Sequence, residues 1–152
     1  MNKFLVPALL LCLGSASASA ANVNLRIPVS LTVPNPCAPA DVVSLSGNLH
    51  LVGNVDSDPS GTQIKLHVNL QDFGGTTPAG RNYRAQLNGK ADIDLASTVL
   101  PASARGNVYA RLVSQGPTDN FKFKLSFDIA VDSQGRVTVN TPSALPDGSC
   151  NG

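Results

Sequence analysis

His50 and His67 are the only imidazoles in the chain, and each sits in a run where apolar and polar residues alternate. In the first run Val43, Leu45, Leu49, Leu51 and Val55 take odd positions and His50 an even one. In the second, Ile64, Leu66, Val68 and Leu70 take even positions and His67 an odd one. Strict alternation marks a half-buried strand, so both imidazoles are expected to face away from the core. A hairpin that buries both apolar sets must pair residues whose numbers sum to an odd value. Closing it over Asp56-Ser57-Asp58-Pro59-Ser60-Gly61 sets Leu51 opposite Leu66, Leu49 opposite Val68, and His50 opposite His67. Opposed side chains have Cβ atoms about 4.5–5.5 Å apart, close enough for two imidazoles to share Cu(II) or Zn(II). Two ligands leave the shell incomplete, and the neighbours Asn48, Lys65 and Asn69 are poor third donors. An ordinary polar cross-strand pair is the simpler reading of the same face, and no cofactor is expected.

The other reactive side chains point away from catalysis. All ten acidic residues are aspartates, and the sequence has no G-x-S-x-G, H-E-x-x-H, Walker or dinucleotide-binding pattern. Asp92 and Asp94 share a strand face, which reads as a solvated one. Asp56 to Gly61 resembles the opening of a calcium loop, but His67 stands where the closing glutamate belongs. Those residues are equally what a hairpin turn selects. Lys65, Arg84, Lys90, Lys122 and Lys124 are all expected on outer faces with no outward aromatic among them, so the stacking half of a sugar or single-strand site is missing. The best remaining contact surface is the loop Gln71 to Pro78, where Phe73 is the candidate exposed aromatic, although a loop aromatic tucked over the end of the sandwich is the simpler reading.

Three cysteines remain to be placed. Residues 1–20 have the layout of a secretory signal: Lys3, an apolar run from Phe4 to Leu13, and Ala18-Ser19-Ala20 as a cleavage site. The run is too short to span a bilayer. Cys12 is expected to leave with it, and Cys37 and Cys150 to form a disulfide in a secreted or periplasmic protein. Without Lys3 the basic and acidic side chains balance at ten each, which argues against a nucleic-acid partner or an anionic membrane.

The elements that must position these groups are strands. Val23 to Val33 alternates cleanly, with Pro28 marking a sheet edge or bulge. Pro34 to Pro39 is a stiff connector. A fourth strand is expected from Tyr83 to Leu95 with a bend at Gly89. A fifth near Val108–Val113 carries apolar residues on both faces, and a sixth buries Phe121, Phe123, Leu125, Phe127, Ile129 and Val131. Keeping Ile129 and Val137 on one face requires a three-residue loop with Gly135 in the left-handed conformation. The expected fold is all-β: an antiparallel two-sheet sandwich of about seven strands with one disulfide, forming one domain over residues 21–152.

Several short motifs carry a resemblance. Asn35-Pro36-Cys37, Ser46-Gly47-Asn48-Leu49-His50, His67-Val68-Asn69 and Ala79-Gly80-Arg81-Asn82-Tyr83 are followed by Asn120 to Lys124, Gly135 to Val139 and Cys150. Together they resemble a group of small secreted bacterial proteins of uncharacterised function. The resemblance implies an exported β domain and adds no catalytic residue.

The leading expectation is therefore a non-enzymatic exported β-sandwich, a binding or surface-structural module for an extracellular or periplasmic ligand. The alternatives are a weak Cu/Zn-binding protein using His50 and His67, and a fibre subunit that lends Val23–Val33 to a neighbour as an added strand. The sequence names neither the ligand nor the oligomeric state.

Overall fold

The computed structural model describes residues 19–87, 91–116 and 120–151. Most of the expected signal, residues 1–18, lies outside them, as does Gly89. The described chain forms eight antiparallel strands: β1 (Ser19–Pro34), β2 (Val42–Asp58), β3 (Gly61–Thr76), β4 (Asn82–Leu87), β5 (Ala91–Thr98), β6 (Ala102–Ser114), β7 (Asn120–Val131) and β8 (Val137–Asn151).

They belong to one curled sheet, a half-barrel, and not to the two-sheet sandwich expected from sequence. Its order is β1-β2-β3-β4-β6-β7-β8, with β5 branching from β3. The branch explains the difference. The first half of β3 pairs with β5, Ile64 with Leu95 and Leu66 with Ile93. Its last residues, Gly74 to Thr76, pair instead with Asn82 to Arg84 of β4. That short ladder joins what would otherwise be two facing layers. Alternation reports which face of each strand is buried, but two buried faces can belong to separate sheets or to one sheet bent round.

The same branch splits the expected fourth strand in two, because β4 and β5 pair with different halves of β3. The curl brings β1 back beside β8, with no ladder between them among the described residues. β1 is an edge strand, as Pro28 requires, and pairs with β2 of its own chain from Ser19↔Ser57 to Pro34↔Val42.

The concave face holds the core. Val33, Val43, Leu49, Leu51, Val68, Val108, Leu112, Phe123 and Leu125 are fully buried, and Phe121, Phe127 and Ile129 pack beside them. Two hairpins close with the same device. In β7–β8 Gly135 has φ 78° and donates its N–H to the Asp132 carbonyl at 3.0 Å; in β3–β4 Gly80 has φ 77° and bonds Thr77 at 2.9 Å. Each is a three-residue loop whose left-handed position only glycine fills without strain. The resulting pairing of Ile129 with Val139 and Val131 with Val137 is the one expected from parity.

Candidate functional site

Cys37 and Cys150 are bonded, with Cα atoms 5.4 Å apart and a sequence separation of 113. The bond ties the β1–β2 connector to the end of β8. Beside it, Asn35 is 2 % exposed; its side chain accepts the Cys37 N–H at 2.9 Å and donates to the Tyr83 hydroxyl at 3.1 Å.

The histidines are not opposed. β2 and β3 run on to Asp58↔Gly61, so only Pro59 and Ser60 form the loop, and Asp58 accepts the Ser60 N–H at 2.7 Å. Ser60 holds the Asp58 carboxyl below its ordinary value, first through its hydroxyl and then through its N–H. The tighter turn keeps the required parity but slides the register by two. Leu51 faces Val68, His50 faces Asn69, and His67 faces Val52. The expectation failed on loop length, since Asp56 and Ser57 are strand residues and not turn residues.

The two imidazoles are therefore diagonal neighbours with separate partners. His50 Nδ1 lies 2.9 Å from Gln71 Nε2, and its Nε2 lies 2.9 Å from Asn24 Oδ1. Since the amide nitrogen can only donate, this network assigns the His50 proton to Nε2. His67 Nδ1 pairs with Asp92 Oδ1 at 2.7 Å, a contact that sequence reading missed because β5 was not separated from β4. Among the described residues no group of three or more His, Cys, Asp or Glu is placed to hold a metal.

Phe73 is not a loop contact. It lies within β3, is 5 % exposed, and stacks on Phe123 with ring centroids 6.0 Å apart. A β-bulge puts it there. Ser46 pairs with Gly74 and Asn48 with Gln71, so Asp72 and Phe73 together stand against Gly47. Asp72 has φ 52°, the left-handed region that aspartate tolerates better than most side chains. The extra residue moves the inward set from Leu70 to Phe73. The glycine facing the pair was the available signal.

On the outer face this bulge opens a groove of about 880 Å³ over β2, β3 and β4. Gly74 and Gly75 are among its lining residues. Ser44, Ser46, Asp72, Thr76, Arg84 and Gln115 supply hydroxyl, carboxylate, guanidinium and amide groups around it.

A second feature lies on the outer face of β6 and β7. Because Val108, Ala110 and Leu112 point inward, Tyr109 and Arg111 point outward, and Tyr109 is 48 % exposed. Tyr109 stands opposite Lys124, and Arg111 opposite Lys122. The expectation that no aromatic interleaves the outer basic residues is thereby corrected. It failed because apolar residues on both faces of this strand concealed which set was buried.

Some charges face a partner of opposite sign, Lys65 on β3 opposite Asp94 on β5 and Arg105 on β6 opposite Asp128 on β7, whereas Arg111, Lys122 and Lys124 in the β6–β7 ladder do not. No protein-family model, curated protein or solved structure matches this chain.

Proposed function

We propose that this chain is an exported, non-enzymatic β domain that binds a ligand on the outer surface of its sheet, with the groove over β2, β3 and β4 as the contact site. The observation that carries the reading is the Asp72 bulge. A non-glycine residue in left-handed backbone costs free energy, and such residues cluster where a surface has been shaped for use. Here the bulge sets a carboxylate beside a mostly polar depression lined in part by Gly74 and Gly75. Hydroxyls, amides and one charge of each sign fit a ligand rich in hydrogen-bonding groups.

Export is supported by the amino-terminal pattern and by a disulfide, which persists in oxidising compartments. Cleavage after Ala20 would leave β1 beginning at Ala21, opposite Val55. A binding role is favoured over catalysis because both nitrogens of His50 are committed to amides and His67 is paired with a solvent-facing aspartate.

The test is an NMR titration of the oxidised domain with a panel of neutral oligosaccharides and short peptides. Shifts concentrated at Ser44, Ser46, Asp72 to Thr76 and Asn82 to Ala85 support the groove. Chemical turnover of a panel member, or shifts that leave the groove unmoved throughout, would overturn the reading.

A further inference from the structure

The β6–β7 ladder ends in two opposite ways. Toward Val131, Arg105 stands opposite Asp128, and its guanidinium bonds both carboxylate oxygens at 2.8 and 3.1 Å. Asn107 and Ser126 come next, joined by a 2.7 Å hydrogen bond. Toward Phe121 the complementarity stops: Tyr109 faces Lys124, and Arg111 faces Lys122. Like charges directly opposed on neighbouring strands are destabilising. Among the described residues no ion pair reaches Arg111 or Lys122. The outward aspartate on β7 is Asp128, already held by Arg105, and Asp147 of β8 falls in the register shift between Pro146 and Cys150, alongside Lys122. Arg111 has its Nε buried without a hydrogen-bond partner, and its β4 neighbour is the neutral Gln86.

We infer that Arg111, Lys122, Lys124 and Tyr109 form a binding strip for a carboxylate-bearing polysaccharide. The repulsion between Arg111 and Lys122 is offset when carboxylates lie over the pair, and a guanidinium receives a carboxylate through two parallel hydrogen bonds. Tyr109, 48 % exposed, offers an aromatic ring against which a sugar ring can pack. A single-stranded nucleic acid fits less well, because consecutive bases need several stacking rings and this face has one. A membrane surface fits less well too. Leu145 stands out beyond Lys124 and Val113 shares the outer face of β6, but Gln86, Asn107, Ser126 and Ser143 around them are polar, so the apolar groups form no continuous band to enter lipid. The strip does not rest on the groove, and either can stand without the other.

Polygalacturonate is the probe, used with the intact oxidised domain. Binding should fall about ten-fold as sodium chloride rises from about 20 to about 150 mM, because exposed charges are screened. Lys122→Glu should abolish binding and raise the melting temperature by about 2–3 °C, since it replaces a repulsive cross-strand pair with a complementary one. That combination separates a ligand site from a structural role, in which loss of binding would accompany loss of stability. Tyr109→Ala should weaken binding several-fold and leave its salt dependence unchanged. Lys65→Glu, on β3, should bind as the unaltered protein does. The inference is overturned if polygalacturonate does not bind at low salt, or if Lys122→Glu still binds it. Tighter binding of oligodeoxythymidylate or of phosphatidylglycerol vesicles than of polygalacturonate would overturn it as well.

Discussion

The ring of Phe73 fills the space that a side chain on Gly47 would need. A Cβ built on Gly47 would lie 2.7 Å from the Phe73 Cα and 2.9 Å from its Cγ, closer than real contacts allow. Gly47→Ala should therefore cost about 1–3 kcal/mol, the range for overpacking a well-filled core. In a Phe73→Leu background the added cost should shrink without vanishing, because the clash with the backbone Cα remains. Urea midpoints of the four proteins measure the coupling, and full additivity would place the ring elsewhere.

The Asp72 backbone can be tested apart from its charge. Glycine adopts positive φ freely, so Asp72→Gly should leave stability unchanged or raise it by up to about 1 kcal/mol. A β-branched side chain resists that conformation, so Asp72→Val should cost about 1–2 kcal/mol. Both remove the carboxylate from the groove. A fold equally indifferent to both would mean that the bulge is not held in left-handed backbone.

How much of this could be read in the sequence differs from element to element. The inward sets of β2, β3 and β7 were legible because one face is apolar and the other mostly polar, with Val42, Val52 and Ala130 the outward exceptions. The Gly135 loop was legible for the same reason, since parity across it admitted few solutions. Four features were hidden, each by a different physical cause. Asp56 and Ser57 have turn composition yet belong to a strand, because a two-residue loop keeps the same parity as a longer one and pairs more backbone. Phe73 looked like a loop aromatic because a bulge interrupts the alternation just before it, and the compensating Gly47 is distant in sequence. The basic strip was invisible until Tyr109 and Arg111 were known to share the outer face. Single sheet against sandwich turns on three residue pairs between Gly74–Thr76 and Asn82–Arg84, and no periodicity encodes them.

The disulfide offers the largest single stability effect. Cys37 and Cys150 close a loop at a sequence separation of 113, and the Cα separation of 5.4 Å lies within the usual range. Restricting the unfolded chain over so long a loop stabilises the fold by about 2–5 kcal/mol. Cys150→Ser should lose that amount, read as a lower urea midpoint. Peptide mapping of the unaltered protein should recover a bonded Cys37–Cys150 peptide. Two free thiols on native export would contradict the assignment.

Asn35 makes the most of its two polar side-chain atoms of any residue buried near that bond. Its Oδ1 accepts the Cys37 N–H and its Nδ2 donates to the Tyr83 hydroxyl, while its backbone bonds both Ala38 and Asp41. Tyr83 in turn sets its ring edge against Phe121, with centroids 5.7 Å apart, and Phe121 pairs with Cys150 in the β7–β8 ladder. The connector, the link strand β4 and the last strand are thus joined through one buried amide. Asn35→Ala strands the Cys37 N–H and the Tyr83 hydroxyl away from water, a loss of about 1–3 kcal/mol. Tyr83→Phe strands only the Asn35 amide hydrogens and keeps the ring packing, so it should cost less. Once Asn35 is alanine, removing the Tyr83 hydroxyl removes an unsatisfied group, and Asn35→Ala/Tyr83→Phe should be less damaging than the sum of the two single changes. A double-mutant cycle in urea decides the matter, and strictly additive losses would show that the 3.1 Å contact carries no energy.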